Sequence, residues 1–243
     1  MVTRSATACS LVLKSLFKNK VMKQVKKILF KMNSTIMLPL LALAISILTS
    51  CENHDEAFDS SLRIGNIYLS DDRVVSPEGY DPETDDAVGV IFAVHGDTAL
   101  VVARQEMGSY IYSDSLGTIG NVINDAVTMC GQENTAAILA SDFARHFPAL
   151  ETLDGYSSKI TGWVLPSAGD LRALSASLDL VKRSMTLIGG DGFSRRQYFS
   201  TSQDGSSGAT GQEYYYTVSL NSGYVTSTYK KSKSRVRLIL NIR

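Results

Sequence analysis

Gly162-Trp163-Val164-Leu165-Pro166-Ser167-Ala168-Gly169-Asp170-Leu171 packs an aromatic anchor, a proline stop and a helix start into ten residues. Pro166 cannot sit inside a helix, and Ser167 followed three residues later by Asp170 has the spacing of a capping box. A helix therefore starts at Ser167, and Leu171, Leu174 and Leu178 give it an apolar stripe. Trp163 precedes that start and reads as core, with an indole N–H that calls for an acceptor. Upstream, Asn121–Met129 and Asn134–Phe147 carry apolar residues at helical spacing, the second with Ala136, Ala137, Leu139, Ala140, Phe143 and Phe147 ahead of the stop at Pro148. The centre of the chain is thus read as helical.

Strands lie on both sides of it. Ile64, Ile67 and Leu69 lead to a polar turn at Asp71-Asp72. Val88–Val94 and Ala99–Ala103 flank Gly96-Asp97 in the manner of a hairpin. Beyond Gly189-Gly190-Asp191-Gly192 the runs Gln197–Ser202, Glu213–Leu220, Gly223–Tyr229 and Arg235–Ile242 read as strands, with a turn at Asn221-Ser222-Gly223. In the last run Val236, Leu238, Leu240 and Ile242 alternate with Arg235, Arg237, Ile239 and Asn241, the pattern of a strand buried mostly on one side. Strands, then helices, then strands make an α+β domain rather than a βαβ repeat.

Four segments in this order resemble a known family: Trp163–Leu171, Tyr198-Phe199-Ser200-Thr201-Ser202, Tyr216–Gly223 and Arg235-Val236-Arg237-Leu238-Ile239. Together they look like the domain at the carboxyl end of the Lcl bacterial collagen-like adhesin, of the Fibrobacter paralogous type, which recurs in Bacteroidetes lipoproteins and is distantly C-type-lectin-like. Ile64-Gly65-Asn66-Ile67-Tyr68 and Gly89-Val90-Ile91-Phe92 match the start of such domains. The resemblance covers residues 63–243 and implies a C-type-lectin-like fold with antiparallel strands flanking a central helical segment. Phe199 stands where the family carries Trp, and residues 191–197 match no family position.

The first 50 residues have a different character. Met22-Lys23-Gln24-Val25-Lys26-Lys27 is a basic head, Ile36–Leu48 is apolar, and Leu48-Thr49-Ser50-Cys51 ends the segment. This is the build of a secretory signal peptide, with a start at Met22 or Met32 fitting better than Met1. The apolar run is shorter than the roughly 20 residues a membrane-spanning helix needs. The ending resembles the bacterial lipobox, which implies cleavage ahead of Cys51 and lipid attachment to its thiol. Residues 51–62 then form an acidic tether, and an acidic stretch after the cysteine resembles a surface-export signal. The expected location is the cell envelope, anchored by lipid at the outer membrane and open to the surface.

Charge and cysteine use narrow the function classes. Eight of the 24 Lys and Arg fall in residues 1–50, which hold no Asp or Glu, so the remainder carries 16 basic against 24 acidic residues. A domain of that sign is a poor partner for nucleic acid, where clustered cations must displace counterions. The one basic cluster, Lys230, Lys231, Lys233, Arg235 and Arg237, reads as a solvated turn. With Cys51 lipidated, Cys130 is left alone beyond the leader and reads as a small buried hydrophobe.

No catalytic or metal set is legible. There is no Gly-x-Ser-x-Gly elbow, and His54, His95 and His146 have no ligand spacing. Asp81–Asp86 alternates carboxylates but lacks the central Gly and terminal Glu of a calcium loop, so it reads as a solvated loop. No metal and no cofactor are expected. The candidate ligand residues are Tyr214 and Tyr216, which share one face of a strand, with Gln203 and Asp204 at the start of the Gln203–Gly211 loop. Residues 63–243 are accordingly expected to be a non-enzymatic binding or adhesion domain for glycan or protein, or a fimbrial accessory or tip subunit acting through protein–protein assembly.

Overall fold

The computed structural model describes residues 61–156, 159–205 and 210–243. The leader, Cys51 and most of the tether lie outside the described residues. The described residues fold as α+β with two five-stranded sheets.

The first sheet has the order β10-β4-β3-β1-β2, formed by Ile239–Ile242, Thr98–Ala103, Ala87–His95, Ile67–Leu69 and Val74–Val75, all antiparallel. The β3–β4 hairpin turns at Gly96, whose φ of 61° lies in the left-handed region. Ala87 to Ala93 are all buried, so β3 is covered on both faces, which is why its sequence is a continuous apolar run. The second sheet has the order β5-β9-β6-β7-β8: Ser109–Tyr110, Ser234–Arg235, Tyr198–Gln203, Tyr214–Ser219 and Tyr224–Tyr229. Its pairings are antiparallel apart from a parallel β6–β9 contact.

The capping box at Ser167 is present: Asp170 N–H donates to Ser167 Oγ, and Ser167 N–H donates to Asp170 Oδ2 at 2.8 Å. The helix runs as α3 (Ala168–Ala176) and, after a break at Ser177, as α4 (Leu178–Leu187). The Ser177 hydroxyl donates back to the carbonyls of Ala173 and Leu174 at 3.3 Å, the competition that bends helices at serine. Leu171, Leu174, Leu178, Val181 and Met185 bury one stripe against β3, β6 and β7. Among the described residues the other α-helices are α1 (Gly131–Leu139), α2 (Glu151–Gly155) and the short α5 (Thr210–Glu213).

Three expectations are corrected. Asn121–Met129 is not helical. Asn121 sits at φ 62°, and the Asp125 carboxylate takes the N–H groups of Val127 and Thr128 at 2.7 and 2.6 Å, a side-chain turn that competes with a helix ladder. The helix expected over Asn134–Phe147 ends at Leu139, and Ser141 Oγ bonds the Ile138 carbonyl at 2.7 Å. The last strand divides, with β9 in one sheet and β10 in the other, so it is buried on both sides where it crosses.

Arg237 lies at that crossing and is buried, not part of a solvated turn. Its guanidinium donates to the carbonyls of Ala103 (2.8 Å), Arg104 (2.7 Å) and Asp191 (3.0 Å) and stacks on Phe193 at 4.4 Å. A buried charge satisfied in this way ties the crossing segment to the β4 end and to the Asp191 loop. Of the same cluster, Lys230 is also buried, Arg235 pairs with Glu106 at 3.0 Å, and Lys231 and Lys233 are exposed. Trp163 is core, edge-on to Tyr156 at 5.0 Å, but its Nε1 finds no acceptor among the described residues. No described helix is long and apolar enough to cross a membrane.

Candidate functional site

The strand period places Tyr214 and Tyr216 on one face of β7 and Tyr215 on the other. Tyr215 is wholly buried, in a ring cluster with Tyr112 (4.6 Å) and Phe199 (5.5 Å). Tyr214 lies opposite Tyr229 of β8, rings edge-on at 5.9 Å, and Tyr216 lies opposite Ser227. Both Tyr214 and Tyr216 are half-buried, Tyr216 packing against the helix-side core.

Gln203 and Asp204 do not reach solvent as a ligand contact requires. Gln203 is 0 % exposed. Its Oε1 accepts from Ile119 N–H and from Lys230 Nζ, both at 3.0 Å, and its Nε2 donates to the Ile119 carbonyl at 3.0 Å. Asp204 is buried and accepts from Ser227 Oγ at 2.5 Å. The sequence placed both in a surface loop, but β6 extends through Gln203 into the core, and their polarity is used internally.

What Gln203 holds is the more informative feature. Residues 111–130, between β5 and α1, contain no helix or strand. An irregular run of this length inside a compact domain is uncommon, and such runs are usually either functional loops or disordered linkers. Its backbone is nevertheless fixed. Asn134, also buried, clamps Ile123 as Gln203 clamps Ile119: Ile123 N–H donates to Oδ1 at 2.7 Å and Nδ2 donates to the Ile123 carbonyl at 3.1 Å. Lys230 Nζ donates to the Gly117 carbonyl at 2.5 Å and sits 5.1 Å from the Tyr112 ring centre. Tyr112, Ile119, Val122 and Cys130 point inward as anchors.

Between those anchors three aliphatic side chains face out: Leu116 (40 % exposed), Ile123 (38 %) and Val127 (71 %). Gly117 N–H donates to the Gln212 carbonyl at 3.0 Å, and Gly205 lies against Asn124, so the segment touches both ends of the β6–β7 connection. The sequence hides Ile123 and Val127 because Asn121–Met129 has helical apolar spacing, and Leu116 carries no local signal.

The ionisable groups nearby are shaped by burial. It lowers the Lys230 ammonium to about 8 and pushes the Cys130 thiol up to about 11, so Cys130 stays protonated and unreactive at neutral pH. His146 Nδ1 meets Asp114 at 2.7 Å at the surface. In the Asp81–Asp86 loop the carboxylates turn onto their own backbone and neighbours: Asp81 accepts from Glu83 N–H and Thr84 Oγ1, and Asp85 from Asp81 N–H and Arg73. Among the described residues no group of three or more His, Cys, Asp and Glu could hold a metal ion. Neither a protein-family model nor a curated protein matches the chain.

Proposed function

We propose that this chain is a lipid-anchored protein of the bacterial cell envelope, tethered through Cys51. Its α+β domain, of C-type-lectin-like type, binds a glycan or a protein at the outer membrane surface without turning it over. The observation that carries the binding reading is the ordered 111–130 segment, whose backbone is fixed by two buried amides while Leu116, Ile123 and Val127 stay exposed. A fixed backbone lowers the entropy lost on binding, and apolar side chains on it supply area to bury. Tyr214 and Tyr229 beyond Gln212 add an aromatic edge on which a sugar or peptide can stack. The test is a glycan and matrix-protein array probed with the full chain and with Ile123→Asp and Val127→Asp. Ligands lost in both variants and kept in Leu187→Asp, on the exposed side of α4, support the reading. Ligands kept in all three would overturn it.

A second reading, a fimbrial accessory or tip subunit, has its own observation. Among the described residues β8 is an edge strand paired with β7 alone, and Tyr224–Tyr229 carries neither proline nor charge to blunt it. Such an edge can accept a partner strand. Slower hydrogen exchange of the Tyr224–Tyr229 amides on mixing with an assembly partner would favour this reading. Unchanged exchange would count against it.

A further inference from the structure

A cleft of about 260 Å³ lies between the first turn of α1 and the β4–β10 edge, apart from the exposed tips of the 111–130 segment. Leu100, Val164 and Ile239 give it apolar walls, and the carboxylate of Asp170, itself 2 % exposed, lines it. One oxygen of that carboxylate is fully used: Oδ2 accepts from Ser167 N–H at 2.8 Å, Ser167 Oγ at 2.7 Å and Gly131 N–H at 3.0 Å. Gly131 makes the third contact feasible, since a Cβ there would stand 2.6 Å from Oδ2. Among the described residues the other oxygen, Oδ1, has no hydrogen-bond partner, and it is not sealed off from solvent. Glu133 brings a second carboxylate to the rim, where His95 is the only basic residue of the lining.

We infer that this cleft binds a protonated nitrogen on a short apolar stem, an ammonium or guanidinium as carried by an alkylamine or by a lysine or arginine side chain. A carboxylate withdrawn from water gains most from a charge-assisted N–H donor, and Oδ1 is where one can dock. The apolar walls suit the stem, and Glu133 reinforces the sign. A neutral hydroxyl of the same length would supply the hydrogen bond without the charge, and so distinguishes charge recognition from simple filling of a hole.

The experiment is saturation-transfer NMR on the full chain in detergent micelles, with n-butylammonium, n-butanol and N-acetyl-lysinamide each at millimolar concentration. Butylammonium is expected to receive saturation and butanol not. A stronger response to N-acetyl-lysinamide assigns the natural ligand to a peptide side chain, and a weaker one to a free amine. Asp170→Asn keeps an acceptor for the helix cap and removes the charge, so it should lower the butylammonium affinity about tenfold or more. Should that variant fail to fold, Gln132→Trp on the exposed first turn of α1 fills the cleft without touching the cap and should abolish the signal. Equal responses to butanol and butylammonium, no response to either amine, or a signal that survives Gln132→Trp would overturn the inference. Ile123→Asp and Val127→Asp leave the cleft intact, so this result stands apart from that of the array.

Discussion

The side-chain amide of Gln203 holds the backbone of Ile119 from both sides, accepting its N–H and donating to its carbonyl, each at 3.0 Å. The two residues are 84 positions apart, so this pair closes a long segment onto a rigid strand in the way a short β-ladder would.

Gln203→Leu removes both bonds and the Lys230 contact while nearly preserving volume. Buried groups left without partners cost about 1–3 kcal/mol each, and the Ile119 N–H and carbonyl are two of them. The expected outcome is a domain that still folds, with hydrogen exchange accelerated over residues 111–125 and unchanged in β3. Uniform acceleration across the domain would mean that Gln203 supports the whole fold rather than this segment.

Anchoring is expected to rest on one thiol. Two or three acyl chains pass the threshold for stable membrane attachment, at about 0.8 kcal/mol per buried methylene. Cys51→Ala should move the protein to the soluble fraction or stall its processing, and metabolic labelling with a clickable palmitate analogue should lose its signal. Label retained in Cys51→Ala would place the lipid on another residue, and a wild type without label would rule out lipidation.

Local rules made part of this architecture readable. The Ser167–Asp170 capping box and the Gly96-Asp97 hairpin depend on residues three or four apart, and both are present. Cys130 and Trp163 are core, as their neighbours in sequence suggested. What escaped reading was polar and non-local. Gln203, Lys230 and Arg237 read as surface because such side chains are rarely fully buried, yet each is buried against main-chain carbonyls more than 80 residues away in sequence. The absent helix at Asn121–Met129 is a case of periodicity overridden: the apolar spacing is present, but Asp125 and Asn121 impose a turn. The second half of the candidate binding segment therefore reads as a helix in the sequence, while strand period alone puts Tyr214 and Tyr216 on a shared face.

Trp163 tests the core. Its ring packs in the cluster with Tyr156 and Leu165, so Trp163→Ala should destabilise by roughly 3–5 kcal/mol. Trp163→Phe should cost much less, because Nε1 has no hydrogen bond among the described residues to lose and is itself a desolvated donor. Urea melts of the two variants check this. A Phe variant as unstable as the Ala variant would show that the indole N–H has a partner, such as a bound water.

Lys230 should make stability rise with pH over a narrow window. Burial lowers its ammonium to about 8 in the folded chain, whereas the unfolded chain titrates near 10.4. Between these values the unfolded state binds more protons than the folded one, so unfolding free energy increases with pH. Below about 8 both states carry the charge, and the domain bears the full cost of burying it. Taken alone, Lys230 should add about 1 kcal/mol from pH 8 to 9, below the limit of about 1.36 per proton and pH unit. Cys130 opposes the effect over the same interval: pushed up to about 11, it keeps its proton in the folded state while the unfolded thiol, near 8.5, loses it, so the net rise is a fraction of that amount, and the buried tyrosines act likewise above about 10. Lys230→Met removes the charge and keeps the stem, so its denaturant midpoint should fall from pH 8 to 9, where that of the wild type holds or rises slightly. A wild-type midpoint with the same pH slope as that of Lys230→Met over this interval would show that the ammonium is held charged in the folded domain and that another group sets the slope.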